Sequence, residues 1–76
     1  MESCQVEVES REQVDLAVAA GADRLLIDNQ TPSTVRQWSE VAREKSPAIE
    51  IEATGGISLE NVRSFAEAGA DFISIG

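Results

Sequence analysis

The sequence predicts an α/β fold, a partial (β/α) barrel in which four parallel strands alternate with three helices. Segments in which polar and apolar residues alternate are separated by amphipathic stretches that carry helix start and stop residues. The tetrapeptide AGAD, at residues 20–23, also recurs 48 residues later at 68–71. The implied period of about 24 residues per strand and helix is that of a β/α array.

Each alternating segment is predicted to be a strand with one buried face. Consecutive strand–helix–strand units are right-handed and parallel, so we expect the strands to pair in sequence order. The four segments are residues 5–9, 25–28, 49–53 and 72–75.

Residues that favour helix ends lie between these strands. Ser10 with Gln13 is a capping-box pattern, and Gly21 ends the helix that follows. A threonine–proline pair opens the second helix, predicted at residues 31–46, and a serine and a glycine bound the third, predicted at residues 58–69. The residues predicted to pack on the sheet are Val14, Ala17 and Val18 in the first helix and Val62, Phe65 and Ala66 in the third.

Polar residues on the strands favour a barrel over an open sheet. In an open doubly wound sheet helices cover both faces, so the strands are apolar on both. Here Gln5, Glu7 and Glu9 share one face of the first strand. Glu50 and Glu52 share one face of the third. A barrel with a polar lumen fits this pattern, and four strands cannot close one, so residues 1–76 are predicted to form about half of a phosphate-binding α/β barrel domain.

Composition excludes several classes of function. The chain has no histidine and one cysteine, Cys4, which rules out an internal disulfide, a zinc site or a Ser-His triad built from this chain alone. Its 14 acidic and 6 basic residues give a net charge of -8, which argues against a nucleic-acid partner. No apolar run approaches the roughly 20 residues of a membrane span and no signal peptide is evident, so we expect no membrane association and a cytoplasmic location.

Acidic residues on the predicted strands occupy positions that solubility does not explain. Asp28 ends the second strand, where barrels place functional groups beside the βα loops. Carboxylates gathered in a lumen repel one another unless cations balance them. The six basic residues fall on predicted helices or their approaches. We therefore expect the balancing charge to come from a metal ion, from a substrate's Mg²⁺ or from another part of the protein. For Glu9 and Glu50, a structural pair with a lysine of an absent strand is the alternative.

A glycine pair follows the third predicted strand. Thr54, Gly55 and Gly56 connect that strand to a helix, and Gly76 ends the next strand one β/α unit later. Backbone N–H groups in such loops bind phosphate, and in phosphate-binding barrels two neighbouring late loops share one phosphate. These four residues are therefore predicted to form one anion site, although a glycine pair alone also makes a plain tight turn.

Four segments resemble the C-terminal barrel of the quinolinate phosphoribosyltransferase family in order and spacing, along nearly the whole chain. The segments are VEVE at residues 6–9, LIDN at 26–29, EATGGI at 52–57 and ISIG at 73–76. The resemblance implies an enzyme that joins quinolinate to phosphoribosyl diphosphate. Its products would be nicotinate mononucleotide, diphosphate and CO₂, in NAD biosynthesis.

The resemblance also implies roles for individual residues. Glu7 and Asp28 would hold the ribose hydroxyls and the Mg²⁺-bound sugar diphosphate. Thr54, Gly55, Gly56 and Gly76 would bind the 5′-phosphate, and no residue is assigned as catalytic. The chain departs from the family twice, with Thr54 where serine is usual and Gln30 where an apolar residue is common.

By the same resemblance, quinolinate is bound by basic residues outside this chain. They come from an N-terminal domain, from earlier barrel strands and from a partner subunit, since the family forms homodimers or higher homo-oligomers. We therefore expect the chain alone to lack transferase activity.

Two other functions remain open from the sequence. The first is another phosphate-binding barrel enzyme, such as an aldolase, which would need a Schiff-base lysine on a strand. Lys45 is the only lysine and falls at the end of a helix. The second is a non-catalytic half-barrel that persists by self-association through its open sheet edges.

Overall fold

In the computed structural model, which describes residues 4–75, strands and helices alternate strictly along the chain. The elements are β1 (Gln5–Val8), α1 (Arg11–Ala19), β2 (Arg24–Asp28), α2 (Pro32–Lys45), β3 (Glu50–Thr54), α3 (Val62–Glu67) and β4 (Phe72–Ile73). The strands form one parallel sheet in the order β1-β2-β3-β4, which confirms the predicted topology. None of the helices in this range is long and apolar enough to cross a membrane. Gly76 lies outside the described residues.

One face of the sheet is apolar in every strand and packs against the helices. Strand register aligns its side chains in two rows, so each helix meets a continuous apolar surface. Trp38 and Phe65, from α2 and α3, are buried in this core. The rows are Val6, Leu25 and Ile51, then Val8, Ile27, Ala53 and Ile73.

The repeated AGAD tetrapeptide ends two helices in the same way. Gly21 and Gly69 have φ angles of +85° and +111°, a region in which glycine carries no steric penalty. Each is followed by an alanine whose N–H donates back into the helix, 3.0 Å from Ala22 to the carbonyl of Ala17 after α1. This pattern is a Schellman motif, and it terminates both helices at the predicted glycines.

The aspartate of each repeat ties the start of the next strand to its neighbour. The Asp23 carboxylate accepts from the N–H of Cys4 at 2.9 Å, while the Asp23 N–H donates to the Cys4 carbonyl at 2.8 Å. Asp71 makes the same pair of bonds with Ile51, at 2.9 and 2.8 Å. Two of the chain's acids are thus explained by strand alignment.

Two predictions about α3 are wrong. The helix begins at Val62, because the Asn61 side chain holds the preceding segment in a turn. Its Oδ1 accepts from the Ser58 N–H at 2.8 Å and its Nδ2 donates to the Gly56 carbonyl at 3.2 Å. Ala66 is exposed, since the short helix and its C-cap turn Phe65 and Ala68 toward the sheet.

Candidate functional site

The open face of the sheet, the face without helices, carries the polar strand residues. Strand register arranges them in layers that run from the amino to the carboxyl ends of the strands. The first layer is Gln5, Arg24 and Glu50, the second is Glu7, Leu26, Glu52 and Phe72, and the third is Asp28 and Thr54.

Asp28 and Thr54 meet at the carboxyl ends of β2 and β3. Their Cα atoms are paired across the strands, and the Thr54 hydroxyl donates to Asp28 Oδ1 at 2.7 Å. The Asn29 N–H also donates to the Thr54 carbonyl at 2.8 Å. The hydroxyl that Thr54 shares with serine therefore orients the Asp28 carboxylate. Gln30, the other departure from the family pattern, is half-buried.

Gly55 packs directly against the end of β2. Its φ is +80°, and a Cβ there would lie 2.7 Å from Asp28 Oδ1 and 2.9 Å from the Asn29 nitrogen. Gly56 also has a positive φ, +67°, but a Cβ there would only touch Asn29 Oδ1 at 3.7 Å. Gly55 therefore allows a close backbone approach within the protein, between the loops after β2 and β3.

The backbone of this loop offers donors to solvent. Gly55 and Gly56 are exposed, and across residues 4–75 neither N–H donates a hydrogen bond to a protein acceptor. Exposed N–H groups at the end of a parallel strand are suited to bind an anion. The predicted contribution of Gly76 concerns a residue outside the described range.

Glu7 lies on the same open face but does not touch Asp28. Its Cα partner is Leu26, one layer below Asp28 on β2, and its side chain is exposed. One strand spacing and two residues along a strand separate Glu7 from Asp28, roughly 8 Å between Cα atoms. The structure therefore brings Asp28, Thr54 and Gly55 into contact. It leaves a gap between Glu7 and Asp28 that a small ligand can span.

Arg24 corrects the predicted charge balance. It is the first residue of β2, and its guanidinium donates to Glu50 Oε1 and to Glu52 Oε1, at 3.2 Å each. Its Cζ lies 4.0 Å from the centre of the Phe72 ring. The expectation that the open face lacks a cation of its own, and that Glu50 needs a lysine from elsewhere, is wrong. Arg24, Leu26 and Asp28 alternate along β2, so they share one face of the strand. This signal was missed because the strand was predicted to start at residue 25.

Lys45 does not occupy a strand. It ends α2, is 60% exposed, and lies 3.6 Å from Asp15 of α1. Lys45 is therefore not the strand lysine that the aldolase alternative requires.

The described residues do not form a metal site by themselves. Within residues 4–75, no group of three or more acidic, cysteine or histidine side chains could hold an ion. One carboxylate oxygen of Asp28 accepts a hydrogen bond from the Thr54 hydroxyl.

Two surface depressions lie at the opposite, amino-terminal edge of the sheet. One is lined by Arg43, Glu50 and Asp71 among others, and the second by Asp23 and Ser46. The Arg43 guanidinium is already paired with Asp71 at 2.6 Å, so Arg43 is not free to bind an anionic ligand. The polar groups at the carboxyl ends remain the better candidate.

Successive parallel β/α units with polar groups at the carboxyl ends of the strands are typical of (β/α)-barrel proteins. A sequence model of "Quinolinate phosphoribosyl transferase, C-terminal domain" matches residues 1–76. The chain therefore belongs to the quinolinate phosphoribosyltransferase family, as the resemblance predicted.

Individual relatives agree with this family. A probable carboxylating nicotinate-nucleotide pyrophosphorylase of Bacillus subtilis is 43% identical over 77 residues, which cover 100% of this chain and 25% of the relative. The human carboxylating nicotinate-nucleotide pyrophosphorylase is 36% identical, over 95% of this chain and 24% of the relative. The structure of the nicotinate-nucleotide pyrophosphorylase from Francisella tularensis superposes with a TM-score of 0.81 at 30% identity, covering 95% of this chain and 25% of that one. The chain spans about a quarter of the length of the relatives it matches.

Proposed function

We propose that this chain forms the sugar-phosphate-binding side of an enzyme that joins quinolinate to phosphoribosyl diphosphate. The products would be nicotinate mononucleotide, diphosphate and CO₂. Family membership and the names of the relatives support this reaction. The observation that carries it is the cluster at the carboxyl ends of β2 and β3, where Asp28, Thr54 and Gly55 are in direct contact.

The 5′-phosphate would lie at the loop after β3. Gly55 and Gly56 are exposed there, their N–H groups have no acceptor within residues 4–75, and backbone donors suit phosphate oxygens. The Thr54 hydroxyl donates its hydrogen bond to Asp28, so it orients that carboxylate. Gly76 would bind the same phosphate, an assignment that comes from its position in the sequence.

The ribose would lie between Asp28 and Glu7. The two residues are on the same face of adjacent strands, with their Cα atoms roughly 8 Å apart. Carboxylates accept hydrogen bonds from sugar hydroxyls, and they stabilise the positive charge that develops at the anomeric carbon when diphosphate departs.

Magnesium and quinolinate would be bound with help from outside this chain. As the family resemblance implies, Mg²⁺ would arrive bound to the sugar diphosphate. Quinolinate carries two carboxylates, and Arg24, the cation of the open face, is committed to Glu50 and Glu52. Further basic residues would come from the rest of a longer protein and from a partner subunit in a cytoplasmic homodimer or higher oligomer.

A chimera tests this function. Residues 1–76 would replace the matching segment of the Bacillus subtilis relative, which aligns with all of this chain. We expect the chimera to form nicotinate mononucleotide from quinolinate and phosphoribosyl diphosphate. Asp28→Asn in the same chimera should lower kcat/KM by about tenfold or more, because charge is lost at the sugar.

Lys45→Gln is the matched control, since it changes one charge far from the carboxyl ends of the strands. A folded chimera without turnover would refute the proposal. So would equal activity of the Asp28→Asn and unsubstituted chimeras.

A further inference from the structure

The Arg24 side chain links β2, β3 and β4 on the open face. It bonds Glu50 and Glu52 at 3.2 Å each and lies over the Phe72 ring, and only 23% of the side chain is exposed. Phe72 shields one face of the guanidinium, which strengthens its interaction with the carboxylates by excluding water.

This arrangement fixes the position of one carboxylate in particular. Glu52 precedes Thr54 by two residues on the same face of β3, so their Cα atoms are about 7 Å apart. The Arg24 guanidinium bonds Glu50 and Glu52 at once. It therefore draws the Glu52 carboxylate toward Arg24 and Glu50 in the first layer, away from the Thr54 loop.

We propose that Arg24 is a positioning residue for the anion site and acts through Glu52. The guanidinium neutralises the Glu52 carboxylate and keeps it from turning toward Gly55 and Gly56. This inference rests on the proposed function, because it assumes that a phosphate binds at that loop. It adds a residue that touches neither phosphate nor sugar.

The physical reason is the charge around the site. Without Arg24, the Glu52 carboxylate would be unpaired on a residue whose Cα lies about 7 Å from that of Thr54 at the end of β3, a separation within the Debye length of about 8 Å at physiological ionic strength. Two like charges at that range repel appreciably near a protein surface. Glu7 and Asp28, on the same face, already make the surroundings acidic.

Binding of inorganic phosphate to the 76-residue chain tests the inference. The dissociation constant would be measured from NMR shifts of the Gly55 and Gly56 amides. We expect Arg24→Gln to raise it about fivefold, and Arg24→Lys, which keeps the charge, to stay within about twofold of the unsubstituted chain. Adding Glu52→Gln to Arg24→Gln should restore binding to within about twofold. Lys45→Gln, with the same change in net charge, should have no effect.

Restoration by Glu52→Gln shows that Arg24 acts through the Glu52 carboxylate. The melting temperature of each variant separates this from a general structural role, because replacing both partners of an ion pair can also restore stability, whereas the loss of phosphate affinity should occur in a chain that remains folded. Weak binding that Glu52→Gln fails to restore would overturn the inference, and so would unchanged binding in Arg24→Gln. If the unsubstituted chain shows no phosphate shifts, the inference fails as well. The proposed function would then still be decided by turnover of the chimera.

Discussion

Replacing Gly55 with alanine would place a methyl group 2.7 Å from Asp28 Oδ1 and 2.9 Å from the Asn29 nitrogen. Both contacts are shorter than van der Waals distance, so the loop after β3 must move away from the end of β2. Asp28 is the acceptor of the Thr54 hydroxyl, and this movement would strain or break their 2.7 Å hydrogen bond.

The cost can be worked out from two contributions. A non-glycine residue at a φ of +80° costs about 1–2 kcal/mol. Disturbing a hydrogen bond to a charged group adds about 1–2 kcal/mol, a value at the low end because the Asp28–Thr54 pair is only partly buried. Gly55→Ala should therefore lower the free energy of unfolding by roughly 2–4 kcal/mol.

Gly56→Ala is the matched control in the same loop. Its φ of +67° carries the same conformational cost, about 1–2 kcal/mol, but its Cβ would meet only Asn29 Oδ1 at 3.7 Å. Urea unfolding, followed by the fluorescence of the single, buried Trp38, measures both variants. Equal destabilisation by the two substitutions would refute the packing of Gly55 against Asp28 and Asn29.

Three other substitutions or assays have defined outcomes. Asp28→Asn should weaken use of phosphoribosyl diphosphate in the chimera with little change in melting temperature, because the amide oxygen still accepts from the Thr54 hydroxyl; unchanged kinetics across a Mg²⁺ titration would count against the sugar role. Asp71→Ala should lower the free energy of unfolding in urea by roughly 2 kcal/mol and Asp23→Ala by roughly 1 kcal/mol, since Asp71 also pairs with Arg43. A larger loss for Asp23→Ala would contradict the role of these aspartates in aligning the strands. The 76-residue chain alone should form no nicotinate mononucleotide and should self-associate through the open edges of β1 and β4 in sedimentation experiments; turnover by a monomeric chain would mean that the quinolinate-binding groups are misplaced.

Strand order was predictable because consecutive β/α units pair in sequence order, and the starts of α1 and α2 were predictable because they depend on local chemistry. Ser10 accepts from the Gln13 N–H and Thr31 accepts from the Thr34 N–H, as their capping patterns predict. Asn61 shows the limit of such patterns, since its side chain competes with helix formation by bonding the loop before it.

The tertiary contacts of the site were less predictable. Alternation along the strands placed Asp28 and Thr54 on the open face, but register, which pairs them, is set by packing of the whole sheet. The reason for glycine at position 55 lies in a neighbouring loop 26 residues away in sequence, at Asn29. Arg24 was missed because the first residue of a strand has no local signature that separates it from the preceding turn.

The most direct measurement is a ¹H–¹⁵N NMR titration of the 76-residue chain with ribose 5-phosphate, compared with ribose. We expect ribose 5-phosphate to shift the amides of residues 54–57 and the amide of Asn29, and ribose to shift them much less, because the backbone donors at the end of β3 recognise the phosphate. Shifts confined to the opposite edge of the sheet, around Arg43 and Asp71, would contradict an anion site at the carboxyl ends of β2 and β3.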